Sequence, residues 1–117
     1  MRDRVPAWLQ DVLTAIALLQ GFRQGREKSD LDGDPMFKSA VERQLTIVGE
    51  ALSRALHVAP EIGTRVTDCR QIISLRNILV HNYANVRSDL LWPLFKIDLP
   101  RLEREIREIL NSWKSVP

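Results

Sequence analysis

Apolar residues in this chain recur at intervals of three and four through four separate blocks, and that spacing restricts the fold more than any other feature of the sequence. A helix returns to the same face about every 3.6 residues, so a stripe with this spacing is buried only if its block is helical. In the first block Val5, Trp8, Leu9, Val12, Ile16 and Leu19 form one stripe on a helix of about twenty residues. Asp3 is its expected N-cap, with Pro6 in the first turn, where a missing N–H costs little. Gly21 and Gly25 weaken the end of this helix, and Glu27 to Pro35 reads as a polar loop rich in Asp and Gly.

The second block runs from about Asp34 to His57, with Pro35 in the first turn and Phe37, Val41, Leu45, Val48, Leu52 and Ala55 on the stripe. Pro60 and Gly63 limit Ala59 to Thr67 to one or two turns. Asp68 is then positioned to cap a third helix carrying Ile72, Leu75 and Leu79, which should end near His81 because Asn82 and Asn85 follow. The fourth block starts around Ser88, bends near Pro93 or Pro100, and continues through Leu99, Leu102, Ile106, Ile109 and Trp113. Pro100 inside this pattern predicts a kink or a break into two helices. No stretch alternates with period two for long enough to make a strand. The expected fold is all-α: an antiparallel bundle of four to five helices in a single domain spanning residues 1–117.

Composition adds constraints on class. Apolar residues at 44% and charged residues at 27% give enough core-forming material to argue against disorder. The longest nearly apolar stretch, Val12 to Leu19, is far shorter than the roughly 20 residues of a membrane span. The N-terminus leads into an amphipathic pattern without a signal-peptide block, so a soluble cytoplasmic protein with no membrane partner is expected. Cys69 is the only cysteine and has no partner for a disulfide or a zinc site; a buried thiol without a role is the simplest reading. A net charge of +2 is too small to announce a nucleic-acid binder. The cations are 13 arginines and 4 lysines, and arginine's planar fork suits phosphate and carboxylate, but the arginines are scattered over solvated helix faces.

One segment concentrates chemistry. The third block ends Leu75-Arg76-Asn77-Ile78-Leu79-Val80-His81-Asn82-Tyr83. Arginine holds phosphate with permanently charged paired hydrogen bonds, and histidine exchanges a proton near neutral pH. Those are the two roles that cleavage of RNA through its own 2′-hydroxyl requires, with no metal needed. The residue pattern likewise lacks a carboxylate or histidine cluster with ligand spacing. On an unbroken helix residues five apart point roughly 140° away from each other. Arg76 and His81 therefore converge only if the helix ends or distorts near His81, or if a second chain supplies half of the site. A structural role fits the same residues: Arg76 can hold a carboxylate such as Glu42 or Glu50, and His81 can cap a helix C-terminus. His57 reads as a surface residue compensating the helix dipole, and Trp8, Trp92 and Trp113 as core or interface.

The segment Arg76-x4-His81-x-Tyr83 resembles the Arg-x4-His-x-Tyr motif of HepT-like toxins, within the HEPN superfamily of helical ribonucleases. Glu42-Arg43-Gln44-Leu45-Thr46-Ile47-Val48-Gly49-Glu50-Ala51 is similar to that family's second-helix pattern, and Ile97-Asp98-Leu99-Pro100-Arg101-Leu102 to its approach to the last helix. The resemblance runs from about Phe37 to Leu110. It implies a HEPN-like helical homodimer whose two subunits line a shared cleft, and metal-independent RNA cleavage with transfer RNA as target. It further implies a type II or type VII-like toxin–antitoxin system, with a nucleotidyltransferase-fold antitoxin that silences the toxin by transferring AMP from ATP to the motif tyrosine, here Tyr83. In that reading Arg76 and His81 are catalytic and Asn77 and Asn82 supporting, with no cofactor. An AMP adduct two residues from His81 would compete with RNA phosphate for Arg76. The runner-up is a non-catalytic dimer that serves as binding partner and substrate of the nucleotidyltransferase. An ordinary helical interaction domain is the third reading.

Overall fold

The computed structural model describes residues 1–81 and 88–114. Among the described residues six α-helices are seen: α1 (Val5–Arg23), α2 (Lys28–Gly33), α3 (Pro35–Val58), α4 (Cys69–His81), α5 (Ser88–Leu91) and α6 (Asp98–Ser112). Short 3-10 turns occupy Arg2–Arg4, Pro60–Thr64 and Trp92–Phe95, and there is no strand among the described residues. The all-α bundle expected from the periodicity is what forms. α1 packs against α3 and α6, and α3 packs against α4. Contacts at the two ends of the molecule show that neighbours run antiparallel. Gln20, late in α1, donates to the Phe95 carbonyl just ahead of α6 (3.2 Å), whereas Arg2, ahead of α1, lies over the Trp113 ring just past the end of α6 (4.7 Å).

The stripes meet in one core. α1 buries Val5, Leu9, Val12, Leu13, Ala15, Ile16 and Leu19, and α3 buries Phe37, Val41, Leu45, Val48, Leu52 and Ala55. Leu99, Leu102, Ile106 and Ile109 of α6 close it. The stretch Arg2–Arg23 is long and apolar enough to cross a membrane by length and composition, which the shorter run Val12 to Leu19 does not indicate. Its core-facing half is turned toward α3 and α6.

α4 differs from the other long helices. Cys69 is its only buried residue, and Ile72, Leu75 and Leu79 are only half-buried. The reason is geometric: α4 leans on α3, and an apolar groove of about 110 Å³ separates it from α6. Polar ties span that gap at its lower end. Glu105 accepts from the Thr67 N–H (3.0 Å) and hydroxyl (2.7 Å), and Arg101 bridges Asp68 (3.3 Å) and Asp98 (3.2 Å). Asp68 directly precedes α4, its carbonyl accepting from the Ile72 N–H (3.1 Å), with a left-handed φ of 55° that Asp tolerates better than most residues.

Three local expectations need correction. Asp3 does not cap α1. It sits inside the Arg2–Arg4 turn, where its carboxylate pairs with the chain's terminal amine at 3.2 Å, and Arg4 occupies the cap position. The segment Glu27 to Pro35 is not a plain loop. A capping box closes α2, with Glu27 and Asp30 each accepting the other's backbone N–H, and Leu31 is fully buried. Pro100 neither kinks nor breaks α6. It lies in the first turn, where no partner for its nitrogen is needed, and the chain bends earlier, through Trp92–Phe95.

Candidate active site

Arg76 and Asn77 sit midway along the half-covered helix α4, and His81 is its last residue. The position of Arg76 depends on a glycine of α3. A methyl group on Gly49 would overlap the Arg76 Cβ, and would come within 2.9 Å of its Cγ and 3.5 Å of its Cα. Only hydrogen at Gly49 lets the α4 backbone approach α3 this closely. The sequence pattern contains Gly49, but nothing in the sequence says which residue it faces.

The guanidinium emerges along the flank of α3. Its Nη2 donates to the Glu50 carboxylate (3.3 Å) and its Nη1 to the Asn77 side-chain oxygen (3.0 Å). Its Nε is buried without a partner among the described residues. Of Glu42 and Glu50, it is therefore Glu50 that makes the pair with Arg76. The paired side chains are 29% and 36% exposed, so their ion pair contributes at most about 1 kcal/mol. A phosphate can displace a carboxylate held this weakly, while the remaining N–H donors keep their direction.

His81 is exposed. α4 keeps its α-helical form to this residue, so Arg76 and His81 lie roughly 7.5 Å apart along the axis and on different flanks. No distortion within the helix brings them together. Asn77 points its oxygen at Arg76, although, four residues before His81, it shares that residue's face of α4. Asn82 and Tyr83 lie outside the described residues.

Arg76 thus presents a fixed positive charge steadied by a carboxylate and an amide, and His81 presents an exposed imidazole on the same helix. The arrangement can bind an anionic oxygen at one point and exchange a proton at another. Within a single chain the two points do not face each other.

The family model described as Ribonuclease HepT-like matches residues 12–109. Relatives fall in the same class. A candidate ribonuclease HepT of Thermococcus cleftensis is 31% identical over 108 residues, covering 87% of this chain and 92% of that protein. A candidate RNase of Methanocaldococcus jannaschii is 30% identical over 102 residues, covering 87% and 93%. A protein of the same organism named as a gamma-glutamylcyclotransferase and candidate RNase is 27% identical over 112 residues; the match covers 96% of this chain but spans half of that longer protein. No solved structure matches the chain.

Proposed function

Since the chain belongs to the HepT-like ribonuclease family, we propose that it is the toxin of a toxin–antitoxin pair, a metal-independent endoribonuclease acting on transfer RNA in the cytoplasm. The observation that carries this reading is the steadied, displaceable guanidinium of Arg76 together with the exposed imidazole of His81 on the half-covered helix α4. Arg76 binds the scissile phosphate and offsets charge that builds on it as the neighbouring 2′-oxygen attacks phosphorus. His81 takes the proton from the 2′-hydroxyl. As the bond from phosphorus to the 5′-oxygen breaks, the proton returns to that leaving oxygen. A cyclic phosphate and a free 5′-hydroxyl result.

The divergence of the two side chains leads to a second element of the proposal. The working unit is a homodimer in which Arg76 of one copy faces His81 of the other across a shared cleft, and the half-covered flank of α4 supports that reading. Asn77 steadies Arg76, and Asn82 supports the helix end. A nucleotidyltransferase antitoxin silences the enzyme by placing AMP on Tyr83, where the added phosphate competes with RNA for Arg76.

The test is cleavage of purified transfer RNA in EDTA by protein produced without an antitoxin, its Tyr83 shown by intact mass to be unmodified. Wild-type protein cleaves and His81→Ala, folded to the same extent, does not. Equal cleavage by both would remove His81 from the mechanism. No cleavage by either would favour a dimer that acts only as partner and substrate of the nucleotidyltransferase.

A further inference from the structure

Beside the Arg76–Glu50 pair, α1 and α3 leave a groove that no step of this mechanism uses. Its inner part, about 100 Å³, is lined by Trp8, Asp11, Ile47, Glu50, Ala51 and Arg54. A wider pocket of about 470 Å³, where Ser53 and His57 join Trp8 and Arg54, shares those two residues with it. The wider part falls in the range of small-ligand sites, roughly 300–1,000 Å³. Trp8 and Arg54 wall both parts, and Glu50 joins the groove to Arg76.

The lining selects a ligand. Trp8 is only half-buried, although it lies on the apolar stripe of α1, so part of its indole is left to line the groove. Arg54 is exposed and has no ion-pair partner among the described residues, so its guanidinium is available across the groove. Asp11 and Glu50 put two carboxylates at the inner end. Beside Arg54, and with Glu50 paired to Arg76, these leave no excess of positive charge to select a phosphate. A nucleobase fits instead: its flat face stacks on indole and guanidinium, and its exocyclic amino group donates to carboxylate.

We infer that this groove is a nucleobase subsite, which holds a base of the RNA strand whose scissile phosphate lies at Arg76. The inference rests on the ribonuclease reading and adds to it the place where the flanking nucleotide is held. Trp8 supplies the stacking surface, Arg54 covers it, and Asp11 with Glu50 favours bases that carry an amino group.

Binding of labelled single-stranded oligoadenylate tests it, in the His81→Ala background so that the strand stays intact, beside an abasic strand of the same length. Trp8→Leu weakens oligoadenylate binding by about 5- to 150-fold, the range that loss of one stacked base gives, and leaves the abasic strand unaffected. Ser53→Phe, at an exposed helix position, fills the groove without touching the core and produces the same base-dependent loss. If neither variant changes the difference between the two strands, the subsite is refuted while the ribonuclease reading stands. Equal loss on both strands, or dissociation of a dimer, also refutes it and makes this face structural or a protein interface. If the unsubstituted His81→Ala protein binds neither strand, the ribonuclease reading itself fails and the subsite fails with it.

Discussion

Replacing Gly49 by alanine should damage cleavage far more than stability. The added methyl group meets the Cβ, Cγ and backbone of Arg76, and the backbone cannot swing aside as a flexible side-chain tip can. Restoring ordinary carbon–carbon separations of about 3.5–4.0 Å requires α4 to move by on the order of 1 Å. Overpacking of this kind costs about 1–3 kcal/mol. Alanine is a better helix former than glycine by about 1 kcal/mol, which offsets part of that cost. The expected net loss is therefore about 1 kcal/mol, or a Tm lower by about 4 °C. A 1 Å displacement of a substrate-binding arginine, in contrast, costs up to about 100-fold in rate. Urea unfolding and single-turnover cleavage, measured on the same preparations, separate the two effects. Gly21→Ala is the control, because a methyl group there meets nothing within 4 Å. It should gain up to about 1 kcal/mol from helix propensity and cleave normally. If Gly49→Ala also became more stable and cleaved at the wild-type rate, the close approach of α3 and α4 would not be what positions Arg76.

Other consequences concern single side chains. Glu50→Ala should change stability by less than about 1 kcal/mol, because the pair is partly exposed. It should nevertheless slow cleavage, since Arg76 loses its direction; a rate equal to wild type would assign Glu50 no part in the site. Asp34 is held below the usual carboxylate range by the Arg26 guanidinium and by the N–H groups of Phe37 and Met36. Its folded pKa is depressed, so its contribution is present above the unfolded value and lost as pH falls through the folded one. Thermal melts between about pH 5 and pH 2 should show part of the acid destabilisation disappearing in Asp34→Asn, and an unchanged slope would argue against the assignment. Burial pushes the Cys69 thiol up, so a thiol reagent near neutral pH should label it slowly in the native protein and rapidly in denaturant. Equal rates would mean that the base of α4 opens freely.

The parts of this molecule that were legible in its sequence are those governed by local period. The stripes of α1, α3 and α6 name most of their buried residues because a core-facing helix side repeats every three to four positions. Trp8 and Trp113 on those stripes are only partly buried, however, and Leu13 and Ala15 are buried outside them. α2 escaped because its cap is a glutamate, outside the usual Ser, Thr, Asp and Asn set, and because one buried leucine makes no stripe. Asp3 is no cap because the Arg2–Arg4 turn precedes α1 and puts Arg4 at the cap position. At the candidate site, the divergence of Arg76 from His81 follows from helical geometry alone. The choice of Glu50 over Glu42, and the contact of Gly49 with Arg76, depend on how two helices separated in sequence are set against each other, and no local spacing encodes that.

The central claim is that one active site takes Arg76 from one copy and His81 from another. Mixing Arg76→Ala with His81→Ala protein under conditions where subunits exchange tests it most directly. Half of the resulting dimers are mixed and each holds one intact site of two, so transfer RNA cleavage in EDTA should return to roughly a quarter of the wild-type rate, although each variant alone is inactive. A mixture as inactive as its components, beside an active wild type and with exchange demonstrated, would contradict the shared site.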